Sequence, residues 1–355
     1  VLRIDAAAET DRIVRWMKET MRGLHRTGAV VGISGGIDSS VCLALSVRAF
    51  GAERVVALLL PDKDSDPLSE ELARQLAAHY GVTPIREPVT PALEGYGCYV
   101  RRDEAIARVF PEYDPAAGYK AKIVLPTGLL DEGTLNVFSL TIVTPAGEEK
   151  SARLAPREFA QIVAASNFKQ RSRTAMLYYH AELNNYAVVG TPNKNERDQG
   201  FFVKYGDGGY DFAPIAHLYK TQVYQLAHHL DVPEAIQQRT PTTDTYSAPS
   251  TQEEFFFRLP YETMDLLWYA QEHEVSVEDT ALALEMSPDQ VRNAFDDFTR
   301  KRRTTHYLRA APLDMAGLGE PALEARDRPW TISRRSPPSS SRDPTTPRTP
   351  PRWST

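Results

Sequence analysis

The strongest structural signal in the sequence is Gly32-Ile33-Ser34-Gly35-Gly36-Ile37-Asp38-Ser39-Ser40. The apolar segment before it, Ala29 to Val31, predicts a buried strand, and Val41 to Arg48 predicts a helix that ends at Gly51. A glycine-rich turn between a strand and a helix lets the backbone approach a phosphate, and the helix N-terminus adds unpaired N–H donors and a partial positive charge. The stretch therefore predicts a phosphate-binding loop.

This loop differs from two familiar phosphate-binding motifs. It lacks the Gly-Lys-Ser/Thr ending of a Walker loop and the third glycine of a dinucleotide fingerprint. It contains a carboxylate, Asp38, which would repel a phosphate unless a divalent cation lay between them. The residues thus predict a polyphosphate bound together with Mg²⁺. A glycine-rich turn without a ligand is the simpler alternative, and the flanking strand and helix disfavour it.

Composition places the chain among ordinary globular proteins. Its 355 residues are 42% hydrophobic and 25% charged, which suits one large domain or two. The net charge of −6 argues against a nucleic acid as the main partner. With two cysteines there is neither a disulfide framework nor a Cys-x-x-Cys metal site. Because no apolar run approaches a membrane span and no signal-peptide pattern occurs, we expect a cytoplasmic enzyme without a membrane partner.

Strand and helix patterns alternate after the loop. Residues 5–26 predict a helix, residues 54–60 a central parallel strand, and residues 82–86 a third strand. Between these strands, Ser69 is expected to cap a helix that continues to Tyr80. This alternation predicts an α/β fold, a doubly wound parallel sheet whose ligand site lies at the carboxyl ends of the strands. The glycine-rich loop lies at such an end.

Residues 90–155 interrupt this pattern and are interpreted as an insertion. Apolar runs at residues 123–125 and 137–143 predict strands, and a turn at residues 145–148 joins the second run to a polar strand, so we expect a β-hairpin. Pro156 predicts the start of a helix, and a second, longer helix is expected from Phe168 to Tyr186. A buried strand at residues 187–191 and a helix over residues 220–230 follow.

The C-terminal third changes character twice. Residues 255–310 predict helices, and residues 281–298 resemble a helix-turn-helix, although packing of two apolar helices is the simpler interpretation. Residues 319–355 contain eight of the 26 prolines, many Ser, Thr and Arg residues and few aliphatic ones, which predicts a disordered tail. We therefore expect one domain over residues 1–318 followed by this tail.

A second group of motifs lies between Asn167 and Lys220. Its helical part, residues 167–173, places Lys169 and Arg173 on one face, which can be a solvated face, with Arg171 turned away. The segments that follow are Gly190-Thr191-Pro192-Asn193-Lys194-Asn195-Glu196 and Gly200-Phe201-Phe202-Val203-Lys204-Tyr205-Gly206-Asp207-Gly208-Gly209. The second segment is unusual for a linker and typical of a loop folded over a ligand.

In this order the motifs resemble those of NAD synthase. Ser-Gly-Gly-Ile-Asp-Ser-Ser is similar to the pyrophosphate loop of the N-type ATP pyrophosphatases, which cleave ATP between the α- and β-phosphates, and Phe-Phe-x-Lys-Tyr-Gly-Asp-Gly-Gly is highly diagnostic of NAD synthase. The resemblance covers about residues 28–90 and 160–305. It implies an adenine nucleotide α-hydrolase-like fold, assembled as a homodimer whose substrate site spans the interface.

The resemblance also implies roles for individual residues. ATP phosphates would lie against residues 32–40, with Asp38 and Glu196 binding Mg²⁺. The further implied ATP contacts are Thr191, Lys220 and Thr242. The implied contacts of the deamido-NAD substrate are Asn167, Arg171, Lys204, Asp211 and the pair Arg300-Lys301, which stands where the family has His-Lys.

The implied chemistry activates a carboxylate with ATP. An acyl-adenylate forms as pyrophosphate leaves, and ammonia then attacks its carbonyl to give an amide and AMP. Such a scheme needs no protein nucleophile, and no Ser/His/Asp or Cys/His set is evident in the sequence. The candidate catalytic residues are Asp38, through the metal, and Asp207, as the carboxylate on the ammonium side. We assign no general base.

Three departures from the family pattern affect the acceptor side. The chain has no room for an N-terminal glutaminase domain, so we expect free ammonia or a separate glutamine amidotransferase as nitrogen source. The insertion is longer than that of compact synthases, and Gln170 stands where the family has alanine. A related ATP pyrophosphatase that amidates a different carboxylic acid is therefore the main alternative. A nucleotide-binding, DNA-associated regulator is a weaker one, because both implied Mg²⁺ ligands are retained.

Overall fold

The computed structural model describes residues 1–124, 138–241, 246–248, 256–257 and 259–313. A parallel sheet with helices on both faces forms its centre, which confirms the predicted doubly wound α/β fold. The strands are β1 (Ala29–Gly32), β2 (Val55–Leu59), β3 (Ile85–Arg86), β4 (Lys120–Val124), β5 (Ser139–Val143), β6 (Glu149–Arg153) and β7 (Ala187–Val188). The α-helices are α1 (Ala6–Gly23), α2 (Ile37–Phe50), α3 (Pro67–His79), α4 (Thr90–Gly95), α5 (Cys98–Val109), α6 (Pro156–Asn184), α7 (Lys194–Gln199), α8 (Lys220–His229), α9 (Glu234–Gln237), α10 (Tyr261–Glu272), α11 (Val277–Ala283), α12 (Pro288–Thr304) and α13 (His306–Arg309).

The parallel sheet has the strand order β3-β2-β1-β7. Side chains of a strand point alternately to the two faces, and here both faces are buried. Ala29 and Val31 pack into a large core that includes residues of α1, α2, α3 and α8. Val30 packs into a smaller core with Leu177 and Ala181 of α6. The uninterrupted apolar strands of the sequence are explained by this two-sided burial.

Helix α3 begins three residues earlier than the sequence pattern predicts. Asp66 is its N-cap, since the Asp66 carboxylate accepts a hydrogen bond from the Leu68 amide at 3.0 Å. Pro67 occupies the first turn, where its fixed φ suits a helix and its missing N–H is not needed. The expectation that Ser69 caps this helix is therefore wrong, because an aspartate followed by proline is the stronger start signal.

Helix α6 is a single 29-residue helix, so the predicted division into two helices is wrong. After Pro156 its sequence contains neither proline nor glycine to break it. The helix ends at Asn184, and its C-cap Asn185 adopts the left-handed conformation with φ 56°. One rigid element therefore connects the inserted residues to the face of the parallel sheet.

The insertion contains the predicted hairpin within a three-stranded antiparallel sheet of order β4-β5-β6. Helices α4 and α5, which precede this sheet, were not predicted. Ile123, Leu140 and Ile142 of the sheet pack against Ile106 of α5 and Ile162 of α6. The ends of the two predicted apolar strands, residues 125 and 137, lie outside the described residues. The insertion thus has its own small core, which packs against α6.

Helices α10, α11 and α12 form the C-terminal helical part. Ala281 of α11 and Val291 and Phe298 of α12 are buried in one core with Trp268 of α10. The helix-turn-helix resemblance is therefore accounted for by packing. No helix in the described part of the chain is long and apolar enough to cross a membrane. The predicted tail, residues 319–355, and residues 314–318 before it lie outside the described residues.

A buried ion-pair network fastens α6 to the loop after β2. Lys169 is 1% exposed, and its Nζ lies 3.2 Å from an oxygen of Asp62 and 2.7 Å from an oxygen of Asp64. Arg173 pairs with Asp62 at 2.9 Å, and Arg102 of α5 pairs with Asp64 at 2.5 Å. Lys169 and Arg173, which share one helical face, thus pair with Asp62 and Asp64 inside the protein and do not form a solvated face.

The network also has a defined dependence on pH. Burial raises the pKa of Asp64, but the charges of Lys169 and Arg102 outweigh burial and lower the pKa below its ordinary value of 3.8. A carboxylate whose pKa is lowered by folding stabilises the protein above its unfolded pKa. The contribution of Asp64 is therefore complete at neutral pH and lost as the pH falls below 3.8.

We predict that Lys169→Met lowers the free energy of unfolding by about 3–5 kcal/mol, because it leaves Asp62 and Asp64 buried with too little positive charge. Urea unfolding monitored by circular dichroism measures this loss. The matched control is Lys150→Met, which removes an exposed pair with Glu112 and should leave the unfolding midpoint nearly unchanged. Equal small effects of both substitutions would contradict a structural role of the network.

Candidate active site

A cavity of about 970 Å³ opens at the carboxyl ends of β1, β2 and β7. It is lined by the glycine-rich loop, the loop after β2, one side of α6, the start of α8 and the loop of residues 200–209. Ligand sites of proteins have volumes of about 300–1,000 Å³, so this cavity is large enough for a nucleotide. It lies where a doubly wound sheet places its ligand site.

Serine hydroxyl groups hold the glycine-rich loop in shape. Ser40 Oγ donates to the Gly36 carbonyl at 2.8 Å, and Ser39 Oγ donates to the same carbonyl at 3.1 Å. The Ser34 amide donates to Ser39 Oγ at 3.3 Å. Gly36 is the N-cap of α2 and provides no side-chain cap, so the amides of the first turn are left for a ligand. The loop therefore presents the positive end of α2 to the cavity.

Gly35 can only be glycine in this loop. Its φ of +73° lies in the left-handed region, and a Cβ atom there would be 2.4 Å from the backbone oxygen of Ser69. The close approach brings the loop against the start of α3. Gly32, Ile33, Ser34, Gly36, Ile37, Asp38 and Ser39 all line the cavity, whereas Gly35 and Ser40 lie behind it.

Asp38, in the first turn of α2, is held by two partners. One carboxylate oxygen forms a salt bridge with Lys220 Nζ, and the other accepts a hydrogen bond from Asn193 Nδ2 at 3.1 Å. Lys220 is completely buried at the start of α8. Burial lowers the pKa of Lys220, but the charges of Asp38 and Glu196 outweigh burial and raise it. Lys220 is therefore a permanent cation beside the phosphate loop.

Glu196 lies next to Asp38 because a capping box fixes the start of α7. The Asn193 side chain accepts a hydrogen bond from the Glu196 amide at 3.0 Å, and the Asn193 amide donates to Glu196 Oε2 at 3.1 Å. Burial within the cavity and, second to it, the negative charge of Asp38 raise the pKa of Glu196 to about 8. The shared partner Asn193 thus brings the carboxyl groups of Asp38 and Glu196 together beside the phosphate-binding loop.

The loop of residues 200–209 forms the opposite wall. Its carboxylate, Asp207, accepts a hydrogen bond from the Val203 amide at 2.8 Å and faces the cavity. The Asp207 side chain is open to the cavity, but the protein surrounds that space, and this burial raises its pKa to about 6. A Cβ atom at Gly208 would lie 2.4 Å from the Phe202 ring, so the tight turn requires glycine.

Lys204 of this loop contacts the C-terminal end of the described chain. Its Nζ donates to the carbonyls of Tyr307 at 2.9 Å and Ala310 at 3.0 Å. Arg171 of α6 donates through Nε to the Lys204 carbonyl at 3.3 Å. The cavity wall is thereby built from three separate parts of the chain.

The structure brings most of the predicted site residues together. The predicted residues outside the glycine-rich loop that line the cavity are Asn167, Arg171, Thr191, Glu196, Lys204, Asp207 and Lys220. Asp211 does not line it, since its carboxylate accepts hydrogen bonds from the Val188 amide at 2.7 Å and the Tyr178 hydroxyl at 3.2 Å.

The predicted basic pair also lies outside the cavity lining. Arg300 pairs with Asp297 at 3.1 Å, and the buried Lys301 pairs with Asp297 at 2.7 Å and donates to the Phe256 carbonyl at 2.8 Å. These contacts lie in the C-terminal helical part. Thr242 lies outside the described residues.

Several lining residues were not predicted. The insertion contributes Phe138, whose ring stacks on Phe159 of α6 with 4.3 Å between centroids. Asp62 and Arg173 of the buried ion-pair network also reach the cavity. Asn193, which contacts Asp38 and Glu196 without lining the cavity, had a usable signal, since an asparagine followed three residues later by glutamate marks a helix start. Phe138 had none, because its place depends on how the insertion folds onto α6.

Comparison with known proteins gives one consistent family. The model of the family described as NAD synthase matches residues 9–108 and 138–311, which leaves out part of the insertion. The NH(3)-dependent NAD(+) synthetase of Rhizobium meliloti is 48% identical over 311 residues, which cover 88% of this chain and 92% of that protein. The NH(3)-dependent NAD(+) synthetase of Thermotoga maritima is 35% identical over 271 residues, or 76% of this chain and 89% of that protein.

Solved structures share the fold at lower sequence identity. The NH3-dependent NAD synthetase of Campylobacter jejuni aligns over 88% of this chain and all of its own, with a TM-score of 0.57 and 21% identity. The NMN synthetase of Francisella tularensis aligns over 88% of this chain and 99% of its own, with a TM-score of 0.55 and 22% identity. These likenesses support the fold of the described residues.

We predict that Gly35→Ala disrupts the loop and lowers ATP affinity at least about tenfold. The left-handed backbone alone costs about 1–2 kcal/mol for a residue with a Cβ atom, and the clash with the Ser69 oxygen adds to it. The control is Gly81→Ala, where φ is +69° and the space is open, so it has the backbone strain without the clash. Urea unfolding and calorimetric titration with ATP measure both effects. Equal ATP affinities of the two variants would contradict this assignment.

Proposed function

The chain belongs to the NAD synthase family, and from this premise we propose how its cavity forms NAD from deamido-NAD, ATP and ammonia. The observation that carries the proposal is the group of Asp38, Glu196 and Lys220 beside a phosphate-binding loop. Such a group fits the adenylation half of the reaction, in which negative charge builds up on a leaving pyrophosphate. The acid to be activated would lie toward Asn167 and Arg171 on α6.

Adenylation is the first step. A carboxylate is a poor acyl donor, so one of its oxygens attacks the α-phosphorus of ATP, and the bond to the β-phosphate oxygen breaks. The amides at the start of α2 bind phosphate oxygens, and the helix N-terminus stabilises their charge. Lys220, held as a cation by Asp38, offsets the charge that develops on pyrophosphate. These groups are in place before the substrate arrives, which makes their stabilisation effective.

Asp38 and Glu196 fit a Mg²⁺ ion shared with the ATP phosphates. Mg²⁺ is commonly held by one or two carboxylates together with substrate phosphates and water. The raised pKa of Glu196 beside Asp38 fits a pair that a cation would stabilise. Among the described residues no group of three or more His, Cys, Asp or Glu could hold a metal, so phosphates would have to complete the ligand set. When bound, the ion would neutralise charge on the polyphosphate.

Amidation is the second step. Ammonium loses one proton to water, the resulting ammonia attacks the carbonyl carbon of the acyl-adenylate, the C–N bond forms and the bond to AMP breaks. A second proton then passes from the nitrogen to water. Asp207 faces the cavity and has a pKa of about 6, so it is mostly ionised at neutral pH. We assign to it the attraction of ammonium to this side of the cavity. Thr191 and Thr242 stay predictions as ATP contacts.

A homodimer would complete the acid side of the site. Tyr179 and Leu183 are one turn apart on α6 and are 56% and 67% exposed. Asp211 hydrogen-bonds Tyr178 beside them, so a second copy seated on this apolar stripe would bring the partner's substrate near Asp211. Arg300 and Lys301 pair with Asp297 within the C-terminal helical part, away from this stripe. Their role in substrate binding stays a prediction.

Nitrogen source and location follow from the same reaction. We propose free ammonia as the nitrogen donor, with a separate glutamine amidotransferase as the alternative. A cytoplasmic location suits an enzyme that consumes ATP. The two cysteines, Cys42 and Cys98, are free and buried, as is usual where disulfides do not form.

One observation keeps a different acid as the second candidate. Gln170 and Phe138 of the cavity wall both belong to departures from the family pattern. We expect deamido-NAD, ATP, Mg²⁺ and ammonium to give NAD, AMP and pyrophosphate in equal amounts, measured by chromatography and a coupled pyrophosphate assay. The mononucleotide acid whose amide is NMN serves as the competing substrate. If the enzyme turned over that acid faster than deamido-NAD, that acid would be its substrate, and the proposed ATP chemistry would still hold.

We predict that Glu196→Gln lowers kcat for pyrophosphate release by about a hundredfold or more, because it removes a negative oxygen ligand while keeping the shape of the side chain. The Asn193 capping contact through the Glu196 amide persists, so the unfolding midpoint should change little. Asp11→Asn on the exposed side of α1 is the matched control and should keep full activity. A Glu196→Gln enzyme with wild-type turnover would contradict the metal assignment.

A further inference from the structure

A buried carboxylate on α10 connects two elements of the active site. Asp265 is completely buried. Its Oδ2 accepts hydrogen bonds from the Thr221 amide at 2.8 Å and the Thr221 hydroxyl at 2.7 Å. Its Oδ1 accepts a hydrogen bond from Asn195 Nδ2. Thr221 belongs to the first turn of α8 and Asn195 to the first turn of α7, so one side chain bridges two helix starts.

The two bridged residues are direct chain neighbours of the catalytic candidates. Thr221 follows Lys220, and Asn195 precedes Glu196. A displacement of either helix start would therefore move Lys220 or Glu196 relative to Asp38. The carboxylate also caps the N-terminus of α8 from outside that helix, an interaction that the helix dipole strengthens.

A second carboxylate of α10 repeats the pattern two turns later. Glu272 accepts a hydrogen bond from the Tyr219 hydroxyl and lies 2.7 Å from Lys194 Nζ. Tyr219 precedes Lys220 at the start of α8, and Lys194 begins α7. Seven residues separate Asp265 and Glu272, which places them on the same face of the helix. Helix α10 thus holds the same two elements at two points.

Stability alone does not require a carboxylate at position 265. Burying a charged group is costly, and a whole buried ionic network can often be replaced by apolar residues without loss of stability, although removal of Asp265 alone would leave the buried donors of Thr221 and Asn195 without an acceptor. Met264 and Leu267, which lie near Asp265 on α10, are fully buried and apolar, so the carboxylate stands in an otherwise apolar part of the helix. What the carboxylate adds is direction, because its two oxygens fix two separate helix starts at once.

We propose that Asp265 is a positioning residue of the reaction, which holds α7 and α8 so that Glu196 and Lys220 both face Asp38. The inference rests on the proposed function, since it gives Asp265 an effect on the adenylation step without any contact with substrate. Asp265 does not line the cavity, which agrees with an action through its neighbours. The C-terminal helical part then has a role in catalysis through geometry.

The test compares kcat and the KM for ATP of three variants in the full-length protein. We expect Asp265→Ala to lower kcat by about tenfold to a hundredfold with less than about a threefold change in KM, because mispositioned groups lose transition-state contacts more than ground-state binding. Asp265→Asn keeps an acceptor for Thr221 and should retain an intermediate kcat. Leu267→Ala removes buried apolar volume from the same helix and should lower the unfolding midpoint with kcat unchanged.

Hydrogen–deuterium exchange gives a readout that does not depend on turnover. Asp265→Ala should increase exchange in residues 193–199 and 219–223, whereas Leu267→Ala should not do so selectively. Thr221→Val keeps the hydrogen bond from the backbone amide of residue 221 to Asp265 and removes only the hydrogen bond from the hydroxyl. It provides a milder variant should Asp265→Ala not fold, and it should lower kcat a fewfold. A wild-type kcat in Asp265→Ala or in Thr221→Val would overturn the proposal. Absence of NAD formation by the wild-type protein would instead overturn the proposed function, and the exchange measurement would still report whether Asp265 fixes the two helix starts.

Discussion

The active site depends on one buried ion pair, the contact of Lys220 with Asp38. A site for a polyanion needs positive charge, yet the carboxylate of Asp38 lies at the phosphate-binding loop, and Glu196 lies beside it with a pKa raised to about 8 by burial and by the charge of Asp38. Lys220 resolves this conflict only if it stays charged while fully buried, and the two carboxylates ensure that it does. The three side chains come from α2, α7 and α8, so their meeting requires the whole α/β frame to be in register.

The parallel sheet supplies this register. Each of the three helices follows a strand or loop at the carboxyl edge of the sheet, where first-turn amides and side chains converge. Gly35 allows the loop to pass under the start of α3, and Asn193 places Glu196 beside Asp38 through a capping box. Helix α10 holds the starts of α7 and α8 in addition, through Asp265 and Glu272.

Local patterns were enough to predict the parts of this site that lie within a few residues of each other. The strand, loop and helix around Gly35 and the polar hairpin of the insertion were predicted because turn chemistry and apolar periodicity are local signals. The start of α3 and the continuity of α6 were missed through misjudged start and stop signals. Partners far apart in the chain could not be predicted, since Lys169 meets Asp64 across 105 positions and Thr221 meets Asp265 across 44.

The two ends of the cavity are built in different ways, and this bears on how specificity arises. The phosphate end consists of short motifs on helix starts, each tied by several hydrogen bonds, so a substitution there disturbs the ATP chemistry itself. The opposite side of the cavity combines Phe138 of the insertion, Gln170 of α6 and a loop attached to residues 307 and 310. The loop is also tied to the phosphate end, because the amides of Gly200 and Phe201 donate to the Glu196 carbonyl at 2.9 and 2.8 Å. The insertion has a core of its own, so its contribution to the shape of the cavity can change while Asp38, Glu196 and Lys220 keep their arrangement.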